Sequence, residues 1–407
     1  MALLTPSAHT VQRNRHVFWL RGLRPGRHAD VVAVVTILVV LVTSLISCTR
    51  KHTPPRPYLA FVANEASNTL AVVNLASFQT TALIPVAPEP VRVLARPNTQ
   101  ELLVLSRSGA VSVIAYPELR VAATIRVGSP AANLAVSADA QRAATSNDQG
   151  EVVLIDCKSR AVEGRVQLRG DVSALVFSPN GKMLIAADGS HDRLVFIDVT
   201  TRTVLGEVHV GKEPGAMAVV PDGSKLFVAD AGESDLSAVD LTTRQVLSNI
   251  DLASKPVALV LKPDGGELIA LCRESATFAI IDTLHDDVET EMPTGTDPVA
   301  AVVTRDSAKL YIANRGDGTV EAVDLQNRSQ PGSILSTRAG IAPSALALTP
   351  DERFLTVTDS ATSSLAVLGT APLSPKSSKV QSVAMPLITT VGVGANPVDV
   401  AVPDWLQ

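Results

Sequence analysis

Residues 221–256 read PDGSKLFVADAGESDLSAVDLTTRQVLSNIDLASKP. Pro221-Asp222-Gly223 opens the stretch as a turn: proline presets φ, aspartate suits the next position, and glycine closes a type I turn. Three apolar segments follow, KLFVAD, LSAVDL and QVLSNIDL, each short and separated from the next by a polar stretch with Gly, Ser, Asp or Thr. Runs of this length between turn signals predict β-strands. Immediately upstream, Pro214 opens a fourth, AMAVV. Pro214 to Ala253 is therefore one four-stranded unit, with strands A, B, C and D in chain order.

The same unit recurs. A strand ending in a hydrophobic residue and Asp stands at Ile155-Asp156, Ile197-Asp198, Val239-Asp240, Ile281-Asp282 and Val323-Asp324, each 42 residues from the next. Worn copies lie at Val73-Asn74, Ile114-Ala115 and Leu368-Gly369. Out of phase with these, a proline opens strand A at Pro90, Pro130, Pro214, Pro256, Pro298, Pro343 and Pro397, and Val172 stands where another would fall. Four antiparallel strands repeated every 40 to 45 residues predict the blades of a β-propeller, because one such sheet cannot bury its faces alone. Composition agrees: the 407 residues are 46% hydrophobic but only 3% aromatic, which leaves Val, Ala, Leu and Ile to build an all-β core. The chain enters at strand B (residues 58–64) and ends on a lone strand A (397–402), so the two termini should complete one blade by pairing. Seven full units between them make eight blades; seven is the alternative if one worn copy lies outside the ring.

PDGSKLFVADAGESDLSAVDLTTRQVLSNIDLASKP and DSAKLYIANRGDGTVEAVDL resemble the YVTN-type β-propeller repeat of exported bacterial and archaeal proteins, and Tyr311-Ile312-Ala313-Asn314 comes nearest the motif that names it. The likeness covers about residues 58–403. It implies a propeller and an extracytoplasmic setting but no single activity, since the defining residues are structural.

The first 48 residues have a different character. Arg13, Arg15, Arg21, Arg24 and Arg27 precede the uncharged run VVAVVTILVVLVTSLIS, residues 31–47, a basic n-region followed by an apolar h-region. Leu45-Ile46-Ser47-Cys48 resembles a bacterial lipobox, which makes Cys48 the candidate for lipidation; a retained signal anchor is the other outcome. Either one anchors the chain to a membrane with residues 58–403 outside the cytoplasm. Residues 49–57, TRKHTPPRP, read as a Pro-rich tether.

Without the leader, 30 Lys and Arg face 39 Asp and Glu, a net charge near −9 that argues against a nucleic-acid partner. In a propeller the loops from D to A and from B to C share one face around the channel mouth. Its candidate ligand residues are Asp188, His191, Lys212, Glu213, Asp230, Lys255, Arg273, Asp297, Asn314 and Arg315. His191 lies between carboxylates in Asp188-Gly-Ser-His191-Asp192, yet metal sites need several converging donors, and no metal or cofactor is expected. The Gly316-Asp317-Gly318 turn lacks the further oxygens of a calcium loop. The repeated Asp of strand C precedes a turn and is expected to accept backbone N–H bonds there rather than to catalyse. Cys157 and Cys272, about three blades apart, read as core thiols. No nucleophile elbow or P-loop is present, and no catalytic residue is assigned. These features predict a non-enzymatic binding or scaffold propeller of the cell envelope, its partner an envelope protein, a glycan or a small polar ligand. A lactonase-like hydrolase with its site at the channel mouth and an accessory protein of a redox system are the alternatives.

Overall fold

The computed structural model describes residues 58–128, 130–329, 333–370 and 385–406. Cys48, the leader and the tether lie outside this range. Thirty-two strands among the described residues form eight four-stranded antiparallel sheets, which are the eight blades of the propeller. Blade 1 is composite: strands B (Leu59–Asn64), C (Thr69–Asn74) and D (Gln79–Pro85) pair with strand A from the far end of the chain, Pro397–Ala401. Phe61, Val62 and Ala63 stand opposite Ala401, Val400 and Asp399. The remaining innermost strands begin at Pro90, Ala131, Val172, Pro214, Pro256, Pro298 and Pro343, as the repeat predicts to within one residue.

Each strand's composition follows from its place in the blade. In blade 5, strand B (Lys225–Asp230) and strand C (Asp235–Asp240) are buried almost throughout because neighbouring blades cover both of their faces. Strand D (Gln245–Asp251) is the outer edge and alternates between exposed residues and half-buried ones, with only Ile250 fully buried. The core is distributed over eight clusters, each shared by two successive blades. Phe227, Leu236 and Ala238 of blade 5 pack with Leu268, Ala270 and Ala279 of blade 6, for example. The closing cluster joins Ala60, Val62 and Val400 of blade 1 to Leu365 and Val367 of blade 8.

Polar ties sew the ring at both radii. Near the channel, Asn133 Nδ2 donates to the Val172 carbonyl of the next blade at 2.8 Å, Ser344 Oγ to the Pro397 carbonyl at 3.0 Å, and Val93 N to Asp399 Oδ2 at 2.9 Å. At the rim, Arg202 and Arg244 of the Asp-x-Thr-Thr-Arg turns donate to the carbonyls of Glu163 and Leu205 on the preceding blades, both at 3.0 Å. The strand C carboxylates do as expected. Asp198 accepts from the N–H groups of Thr200 and Thr201 at 2.9 and 2.7 Å, and Asp240 from Thr242 and Thr243 at 2.7 Å each. Those bonds hold both carboxyls below the usual range. The long connection of blade 8 falls between its strand C (Ser364–Gly369) and strand D (Leu387–Gly392), where residues 371–384 lie outside the described residues.

Candidate functional site

The loop face is built on one residue per blade, the last of strand B. Asn64, Ser106, Asn147, Asp188, Asp230, Cys272, Asn314 and Asp359 occupy this position, and all are buried. Three of them, Asp188, Asp230 and Asn314, are candidate ligand residues by sequence, but the structure turns their side chains into the loops instead of presenting them to solvent. Asp359 shows the logic, since its carboxylate accepts from Ile341 N at 2.8 Å and Ala342 N at 3.1 Å. Ser106 Oγ donates to the Ala87 carbonyl at 2.8 Å, and Asn314 Oδ1 accepts from Thr294 Oγ1 at 3.1 Å. A glycine lets the D-to-A loop close over each of several of these groups. A Cβ on Gly340 would lie 2.0 Å from Asp359 Oδ2, and one on Gly211 would lie 2.5 Å from Asp230 Cγ.

In blade 4, Asp188 lies under His191, whose Nδ1 is 3.0 Å from Oδ1, and accepts from Arg193 Nε at 2.9 Å and Ser190 Oγ at 3.0 Å. Burial works against ionisation of Asp188, but the bonds from His191, Arg193 and Ser190 outweigh it and hold the carboxyl below its ordinary range. The His191 ring is thereby committed to a structural carboxylate. No group of three or more His, Cys, Asp or Glu side chains arranged to hold a metal ion occurs among the described residues. In Gly316-Asp317-Gly318, both Asp317 oxygens accept from Thr296, one from its N–H and one from its hydroxyl, each at 2.6 Å, so the turn reading of that segment is sufficient. Cys157 and Cys272 are buried free thiols, and burial pushes Cys157 up to about 11.

The exposed members of the face gather in two sectors. Between blades 4 and 5, a cleft of about 450 Å³ is lined by Asp192, His209, Lys212, Glu233 and Asn249, with Val210, Gly211 and Val246 beside them. Lys212 reaches Glu233 at 3.0 Å, and Asp192 Oδ1 receives Glu213 N at 2.9 Å, which fixes the loop carrying both Lys212 and Glu213. Between blades 6 and 7, Arg273 and Arg315 converge on Asp297, their Nε atoms 2.8 and 2.7 Å from its two carboxylate oxygens. Lys255, half-buried, belongs to the loop that enters blade 6. Of the cleft residues, sequence reading finds Lys212 but misses Asp192, His209, Glu233 and Asn249. His209 and Asn249 lie on outer strands, and the signal for pairing them is the repeat itself, since residues about one repeat apart face each other across neighbouring blades.

No family model matches the chain, and no curated protein matches it. Solved structures match its fold. Dihydro-heme d1 dehydrogenase NirN in complex with DHE superposes with a TM-score of 0.71 at 16% identity, over 86% of this chain and 76% of that one. Kuenenia stuttgartiensis hydrazine synthase gives 0.53 at 17% identity, over 66% and 88% of the two chains. The β-propeller domain of Myceliophteria thermophila Cps50 (Swd1) gives 0.57 at 14% identity, over 69% and 96%. At these identities the likeness is one of fold, and the three proteins have different roles.

Proposed function

We propose that the chain is a non-enzymatic binding propeller of the cell envelope, of the YVTN-repeat kind. It is anchored through its N-terminal segment by a lipid on Cys48 or by a retained signal anchor. Its ligand is a small molecule rich in hydroxyl or amino groups, such as a wall glycan fragment, held in the cleft between blades 4 and 5. The cleft is the observation that carries this reading. It offers carboxylate acceptors (Asp192, Glu233), an ammonium (Lys212), an imidazole (His209) and an amide (Asn249) around two valines, a setting that orients a polar ligand by hydrogen bonds. A metal-dependent version of the hydrolase alternative has no three-donor grouping to build on among the described residues.

A ligand that binds only the native state raises its melting temperature. In a thermal-shift screen of the full-length protein against sugars, wall glycan fragments, lactones and divalent cations, a glycan fragment should give the shift. Glu233→Gln and Asn249→Ala should each abolish it. A divalent-cation shift that disappears in His191→Ala would overturn this reading in favour of the hydrolase. A screen in which nothing shifts would overturn the small-ligand assignment and leave a protein partner.

A further inference from the structure

The two residues just beyond the strand A to strand B pairing at the loop end stand at equivalent positions in each blade. In blade 7, Pro298 stands opposite Asn314, so the flanking pair is Asp297 and Arg315. In blade 2, Pro90 stands opposite Ser106, so the pair is Glu89 and Arg107. Each of these positions combines an acid with an arginine. Blade 6 differs: Pro256 stands opposite Cys272, which makes the flanking residues Lys255 and Arg273, two cations. Among the described residues no other blade places two cations there. Both residues lie just beyond the end of the ladder, so blade 6 carries two cations and no acid at this position.

The Arg273 side chain crosses to the Asp297 carboxylate of blade 7. That carboxylate then serves two guanidinium groups, each through Nε. The contact with Arg315 is an aligned hydrogen bond at 2.7 Å. The contact with Arg273 is an ion pair whose N–H does not point at Oδ1, which has no hydrogen-bond donor. Both arginine side chains are nearly half-exposed, at 47% and 45%. Among the described residues nothing takes their terminal Nη groups, which are the donors that match a carboxylate or phosphate bidentately. Two other acids belong to these loops. Asp317 already has both oxygens engaged by Thr296, and Glu274, exposed, follows Arg273 in the chain.

We infer that Arg273 and Arg315, fixed by Asp297, form an oxyanion-binding site on the loop face between blades 6 and 7 that takes a carboxylate or phosphate group of an acidic ligand. The site is separate from the cleft of blades 4 and 5 and does not depend on it. On a chain this acidic, a local cationic sector attracts anions at short range and weakens with salt.

The test is calorimetric titration of the full-length protein at low ionic strength with inorganic phosphate and, separately, with succinate. At least one should bind, and its affinity should fall about tenfold or more in Arg273→Gln and in Arg315→Gln, since each removes a charge-assisted contact to the anion. It should also fall at high salt, and it should be unchanged in Arg120→Gln, which removes an exposed charge from the outer strand of blade 2. Phosphate alone or succinate alone would identify the group recognised. If Arg273→Gln lowers the melting temperature, Arg273→Lys keeps the charge without the planar fork and should still lose several-fold. Failure of both anions to bind, or equal weakening in Arg120→Gln, would overturn the inference.

Discussion

At the level of single residues, Asp230 is the one whose surroundings do not suit its charge. Its Oδ2 accepts from Ser237 Oγ at 2.7 Å, but Oδ1 is buried without a partner. The residue opposite it across the strand pair is Asp235, which also carries a buried oxygen without a partner, whereas Asp188 of blade 4 has Arg193 there. Burial, opposed by the Ser237 bond and reinforced by Asp235, pushes the Asp230 carboxyl up to about 7. Asp235 is raised as well, by burial and by the nearby Glu233 and Asp251. In the unfolded chain an aspartate titrates near 3.9. The folded value is the higher one, so the folded state binds a proton that the unfolded state has released. The stability this group supplies is complete below about 4 and is lost as pH rises to about 7. Asp230→Asn removes the titration and keeps the shape. Relative to wild type it should gain roughly 2.5 kcal/mol more stability at pH 8 than at pH 5, at 1.36 kcal/mol per pH unit over the two units from pH 5 to about 7. Denaturant unfolding of both proteins at the two pH values checks this, and parallel pH profiles would show that Asp230 is ionised in the folded state.

At the level of elements, the D-to-A loop and the end of strand B form one structural device in most blades, which predicts opposite outcomes for two glycine substitutions. A methyl on Gly340 would meet Asp359 Oδ2 at 2.0 Å and Cγ at 2.7 Å, and that carboxylate is pinned by backbone N–H groups. Gly340→Ala should therefore cost about 2 kcal/mol or more, read from the denaturant midpoint. Gly392, on the exposed strand D of blade 8, has nothing within 4 Å of a Cβ. Gly392→Ala should stay within about 0.5 kcal/mol of wild type. The same device explains what sequence reading captures and what it misses. Strand order, turn positions and the role of the strand C aspartates follow from local pattern, because each is decided within a few residues. The burial of Asp188, Asp230 and Asn314 does not, because a polar residue at a strand end looks solvent-facing until the loop from the preceding blade folds over it. Arg273 is legible as a loop cation, but its reach to Asp297 of the next blade is a contact between repeats. The cleft is likewise a property of two blades, and its His209 and Asn249 come from strands that read as ordinary outer edges.

At the level of the whole molecule, the ring is held by interfaces between blades, so its integrity depends on the single junction made by chain ends. Strand A of blade 1 supplies Val400 to the cluster of Ala60, Val62, Leu365, Val367 and Val391, and Asp399 to the tie with Val93 N of blade 2. Phe78 and Phe354 add an edge-to-face contact at 5.8 Å across the same junction. A chain lacking residues 397–407 would leave Phe61 to Asn64 as an open edge and uncover that cluster on one side. Unpaired edges with exposed apolar surface associate with one another. The truncated protein should melt roughly 10 °C or more below wild type, in a broad transition with aggregation, because several kcal/mol are removed and each shifts a large domain by a few degrees. Adding a synthetic peptide of residues 397–407 should recover part of the loss, since an isolated strand can complete an exposed sheet edge. A truncated chain that stays monomeric and melts at the wild-type midpoint would mean that blade 1 holds with three strands. The ring would then be closed by side-chain packing between blades 8 and 1 rather than by the strand pairing that the phase of the repeat led us to expect.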